Sequence, residues 1–159
     1  MDSLDAAAVW RRRLWRYVPL LLWVGFILCA STGTLSASNT SRVVRPLLLW
    51  LMPGISEEGL WWAHFVVRKS AHFTEYAILA LLAARAFLSS SRSLLRRRSY
   101  TVALLLVTCC ALLDEYHQSF FATRSGAIFD CLIDITGGAA ALALLWRARR
   151  EQSPVEDSL

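Results

Sequence analysis

Apolar residues are grouped along the chain in long blocks, and the polar residues between them are short, basic or turn-forming. No residue from Tyr17 to Leu35 is charged, and about 19 residues at 1.5 Å rise nearly cross a hydrocarbon core of ~30 Å. Val43 to Met52 is apolar over only half that length and reads as a short helix in the interface, with Pro46 in its first turn and Pro53-Gly54 ending it. Ser36 to Arg45 before it is polar and turn-forming. Ser56 followed by Glu57 and Glu58 opens the next helix, the hydroxyl as N-cap and the carboxylates at the positive end of the dipole. That helix runs through Arg68-Lys69 into a spanning half from Ala71 to Leu88. Tyr100 to Leu113 is a third span, uncharged until Asp114, and Gly126 to Trp146 is a fourth.

The pattern predicts an all-α integral membrane helical bundle with four transmembrane helices plus one or two short outer-face interfacial helices. Residues 1–16 form a basic N-terminal segment, 17–147 the transmembrane domain and 148–159 a polar tail. A mean hydropathy of +0.44 with 56% hydrophobic residues is too apolar for an ordinary soluble domain. The basic N-terminus followed by an apolar run and Ser36-Ala37-Ser38 has the outline of a cleaved signal peptide, but the run is long for one, and Trp23 and Phe26 suit an anchor.

The net charge of +5 does not point to nucleic acid, because the basic residues flank apolar runs instead of lining one face. With the N-terminus inside, twelve of the 17 Lys and Arg residues fall on the inner side, among them Arg11–Arg13, Arg96–Arg98, Arg147, Arg149 and Arg150. Arg42, Arg45, Arg68, Lys69 and Arg124 fall outside. Both termini are therefore expected to be cytoplasmic. Cys29, Cys109, Cys110 and Cys131 all lie in apolar stretches without metal-ligand spacing and read as packing residues.

This topology brings the chain's polar residues to one face. Lys69, His72 and Tyr76 are spaced i, i+3, i+7 on one helical stripe, with Glu75 beside them. Asp114, Glu115, His117 and Gln118 end the third span, and Arg124, Asp130 and Asp134 surround the start of the fourth. Ionisable groups at membrane depth are expensive, so they are expected to face one another in an outer-leaflet cluster, with Asp114 and Gln118 on one inward face and Asp130 and Asp134 on another. The cluster has several readings. It is a structural network locking three helices together; it is an acid/base site; or, with weaker support, it is a proton relay or a metal site, the latter lacking any compact ligand pair such as His-Glu-x-x-His. No metal and no cofactor is assigned.

The motifs Lys-x-x-His-Phe-x-x-Tyr at Lys69, His72, Phe73 and Tyr76, Asp-Glu-x-His-Gln-x-Phe at Asp114 to Phe120, and Arg-x5-Asp at Arg124 and Asp130, followed by Gly137, resemble the VanZ-like family over about Tyr17 to Trp146. The resemblance implies a small bacterial multi-helix membrane protein, named for a member linked to low-level resistance to the glycopeptide teicoplanin, with no settled biochemical activity. Phe121-Ala122-Thr123 stands where many members have Pro-Gly, and Asp134 where asparagine is common. Two functions follow as expectations. One is a pocket that binds membrane lipid, a lipid-linked molecule or a glycopeptide amphiphile through Lys69, Tyr76, Gln118, Arg124, Asp130 and Asp134. The other is a membrane-embedded hydrolase or transferase acting on a lipid-linked envelope intermediate. There Asp114 or Glu115 orients His117 or His72 as base, Glu75 joins the acid/base set, and Lys69 with Arg124 stabilises an anion.

Overall fold

The computed structural model describes residues 3–31, 37–120 and 128–152. They form α1 (Ser3–Ala30), α2 (Ala37–Leu51), α3 (Glu57–Leu88), α4 (Ser93–Arg97), α5 (Ser99–Gln118) and α6 (Ile128–Gln152), with no strand among the described residues. Arg124 and its neighbours at 121–127 lie outside the described residues, as does the tail from 153. α3, α5 and the Phe129–Gln152 part of α6 are long and apolar enough to cross a membrane, and α1 contributes a shorter apolar stretch, Leu14–Ala30.

α3 is the centre of the bundle. It packs against every other helix and most extensively against α6. Its start follows from the sequence: Ser56 is extended at ψ 160°, and its hydroxyl accepts the Gly59 N–H at 3.1 Å. Past that cap, no proline interrupts the helix and its buried stripe is Tyr76, Leu79, Ala80, Ala83 and Ala84. α5 answers with a stripe of Ser99, Ala103, Val107, Ala111, Asp114 and Gln118, steps of three or four residues that keep one face turned inward. These small side chains allow close helix approach without a hydrophobic drive between helices. The outside is apolar: Leu105, Leu112, Leu113, Leu132 and Leu144 are each more than half exposed, a surface suited to lipid.

α6 meets α3 through glycine. A Cβ on Gly137 would lie 2.3 Å from the Phe73 carbonyl oxygen, and one on Gly138 would lie 2.7 Å from Val107 Cγ1. Backbone therefore touches backbone one turn from Asp134.

Two helix boundaries differ from expectation. α1 begins at Ser3 and carries the basic cluster inside it, where the pattern sets residues 1–16 apart as a basic segment ahead of the first span. Arginine is a good helix former, so charge marks a membrane edge without ending a helix. α2 begins at Ala37, so Ala37 to Arg45 is helix where a turn is expected, and Pro46 sits in the helix interior. The proline deprives the Arg42 carbonyl of its N–H partner, and because both residues are exposed, water can take that place. α2 is tied to the start of α3 by the exposed Arg45–Glu57 ion pair at 2.7 Å. No two cysteines are disulfide-bonded; Cys131 is buried, whereas Cys29 and Cys109 face outward and do not pack in the core.

Depth along α3 can be counted from Arg85, the basic residue of its last turn. At 1.5 Å per residue His72 stands roughly 20 Å and Lys69 roughly 24 Å from it, and Phe65 roughly 30 Å. Trp61, Trp62 and Phe65 pack on one another there with ring centroids 4.9 to 5.8 Å apart, and all three are exposed, as in an aromatic belt. At the opposite end Arg150 stacks on Trp146 at 3.9 Å. Grooves at that end are lined by Arg11, Arg16, Arg85, Arg92 and Arg149.

Candidate functional site

The inward stripes of α3, α5 and α6 change character at the same level. Below it they carry alanine, valine and glycine; at it they carry His72 and Tyr76, Asp114 and Gln118, and Asp130 and Asp134. On α6 the i, i+4 spacing of Asp130 and Asp134 continues into Gly138, so the glycine contact that draws α6 onto α3 also fixes where both carboxylates point. Asp134 and Tyr76 are completely buried, Gln118 and Asp114 almost so.

Each carboxylate has a different environment. Asp114 is held on both oxygens: Ser31 at the end of α1 donates to Oδ1, and Gln118 Nε2 donates to Oδ2 at 2.8 Å. Asp130 forms an ion pair with Lys69 and is nearly buried, and Lys69 also lies 5.4 Å from the centre of the Phe65 ring. Asp134 Oδ1 faces His72 Nδ1 at 3.3 Å, within ion-pair range, and no other described residue donates a hydrogen bond to either Asp134 oxygen. Glu115 is half-buried with both oxygens shielded and without a hydrogen bond or ion pair among the described residues. The Tyr76 hydroxyl is likewise buried without a hydrogen-bond partner. Buried polar atoms without a hydrogen bond are rare in folded proteins, and three side chains carrying such oxygens at one level among the described residues is unusual.

The expected inward faces are therefore found. Asp114 with Gln118, and Asp130 with Asp134, all point into the bundle, and a ligand atom from His72 lies within 4.8 Å of ligand atoms of both Asp114 and Asp134. Glu75 and His117 are half-buried on α3 and α5, and the Glu75 carbonyl accepts Trp23 Nε1 at 2.9 Å. The pairing differs from expectation in two respects. Asp134, not Asp114 or Glu115, is the carboxylate in ion-pair range of His72, and Lys69 is committed to Asp130 instead of standing free for an anion. Helical spacing assigns faces, but the partner across an interface depends on the rotation of α6, which Gly137 sets. Ser31 belongs to none of the sequence motifs, and Trp23, which reads in the sequence as an anchor, donates to the Glu75 carbonyl instead of facing only lipid. Ser31 had a signal: it is a hydroxyl near the end of an otherwise apolar run.

The family model VanZ/LLP1 matches residues 15–149, from the basic edge of α1 to the last turns of α6. The chain belongs to this family. No curated protein and no solved structure is detectably similar to it. The VanZ-like chain thus has its polar residues gathered at one level of a helical bundle, and the matched segment contains all of them.

Proposed function

We propose that this VanZ-like protein is a multi-pass protein of the bacterial cell membrane with four spans, α1 being the fourth, and with both termini in the cytoplasm. Its polar cluster then lies in the outer half of the bilayer, where it binds the polar head of an amphiphile, lipid-linked or glycopeptide. Through that binding the protein alters sensitivity to glycopeptide antibiotics such as teicoplanin. The observation that carries this reading is the set of buried oxygens on Tyr76, Glu115 and Asp134 to which no described residue other than His72 is directed, polar capacity open to a ligand. α1 supports the span count, since about 17 apolar residues cover roughly 25 Å and the helix packs on α3 and α5.

The orientation rests on the twelve-to-five basic asymmetry. Reporter fusions at Ser93 and Ser125 are expected to read cytoplasmic and external respectively, and the reverse would place the cluster on the inner side. Native mass spectra of protein released from bacterial membranes are expected to show one retained amphiphile that Asp134→Asn loses. Identical adduct patterns for the two proteins would reject the binding reading.

A second reading is favoured by the His72–Asp134 geometry, in which a buried carboxylate faces one imidazole nitrogen and leaves the other to act as a base, as in hydrolytic sites. In that version the protein is a membrane-embedded hydrolase or transferase. Appearance of a cleaved form of the retained amphiphile, absent with His72→Gln, would favour it over simple binding.

A further inference from the structure

We propose that His72, Asp114 and Asp134 form a binding site for one divalent first-row transition cation, Zn²⁺ or Mn²⁺ in type. One imidazole nitrogen and one oxygen from each carboxylate lie within 4.8 Å of one another, drawn from α3, α5 and α6. The inference concerns the cluster described above but stands apart from amphiphile binding, since a metal is measured without lipid or phenotype.

Three observations carry it. The first is the His72–Asp134 contact itself. Its 3.3 Å separation is that of neighbouring ligands on one ion, since ligands about 2.1 Å from a common ion lie roughly 3.0–3.4 Å apart at octahedral or tetrahedral angles. The second is Asp134, fully buried and paired only with His72 among the described residues, with the Tyr76 hydroxyl, which has no hydrogen-bond partner among them, buried within electrostatic range of Asp134 and Asp114. The third is the fixing of Asp114. Ser31 and Gln118 each donate to one of its oxygens, which sets its orientation and leaves each oxygen a further lone pair, the arrangement seen for carboxylates that ligate metals.

Charge points the same way. Lys69, the lysine in ion-pair contact with the cluster, is taken by Asp130, so Asp114 and Asp134 face each other and a histidine in a low-dielectric interior. A divalent ion cancels both carboxylate charges at once. The donor set selects the class: an imidazole with two carboxylates suits Zn²⁺ or Mn²⁺, while Mg²⁺ and Ca²⁺ take all-oxygen sites. The remaining coordination positions are available to water or to an anionic group of a bound molecule.

The test uses untagged full-length protein in detergent, stripped with chelator, desalted and titrated with ZnCl₂, with metal counted by mass spectrometry. Wild type is expected to retain one Zn²⁺ per chain with a raised unfolding temperature. His72→Gln and Asp134→Asn should weaken binding by at least about a hundredfold, the upper end of what losing even a supporting partner of a ligand costs. His64→Ala, a different α3 histidine, should bind as wild type does. Wild type retaining no more metal than Asp134→Asn overturns the proposal. Should that variant fail to fold, Co²⁺ added to the stripped wild type decides: a visible spectrum of a protein-coordinated ion supports the site, and one identical to Co²⁺ in detergent buffer overturns it.

Discussion

Gly137→Ala is expected to destabilise the protein by about 3 kcal/mol, the upper end of the cost of overpacking a close-packed interior. The added methyl would stand 2.3 Å from the Phe73 carbonyl oxygen and 3.0 Å from its carbon, and these are backbone atoms of a helix that cannot turn aside. α3 and α6 would have to separate by roughly an ångström along the most extensive helix contact in the bundle. Asp134, one turn before the glycine, would be carried away from His72. Gly138→Ala should cost less, because its methyl meets the side chain of Val107 at 2.7 Å and a side chain has rotamers to use. Gly25→Ala, with nothing within 4 Å, should be neutral or stabilising by up to about 1 kcal/mol through helix propensity. Thermal unfolding of the three variants in detergent checks the order. A Gly137 variant as stable as the Gly25 variant would mean that α3 and α6 do not lie in backbone contact.

That glycine also explains how much of the site was legible beforehand. Hydropathy blocks give the helices, and a period of 3.6 places Lys69, His72 and Tyr76 on one stripe and Asp114 with Gln118 on another, because side-chain direction along a helix is fixed by local geometry. The ends of helices are less well marked. The arginines of α1 and the polar residues before Pro46 are compatible with helix in water, so neither stops one. Partner choice is a property of the packed bundle. Which carboxylate meets His72 is set by the rotation and approach of α6, and Ser31 reaches Asp114 only because α1 packs beside α5. A sequence of motifs brings the residues to the same level and leaves those pairs undetermined.

The Lys69–Asp130 pair separates a structural role from a functional one. Its atoms are largely withdrawn from solvent, with side-chain exposures of 19% and 9%. Lys69→Met alone leaves a nearly buried carboxylate without its countercharge, which costs about 3–5 kcal/mol and should sharply reduce accumulation in the membrane. Joining it with Asp130→Leu removes both charges, and replacing a buried pair by apolar residues of similar size is often neutral or stabilising by about 1–4 kcal/mol. The double variant should therefore accumulate close to wild type where the single one does not. The decisive measurement is teicoplanin susceptibility of cells producing equal amounts of wild type and the double variant. If the cluster binds its ligand through these charges, the double variant is abundant and its effect on susceptibility is lost. An abundant double variant that changes susceptibility as much as wild type does would contradict ligand binding through these charges and leave the pair as a device for joining α3 to α6.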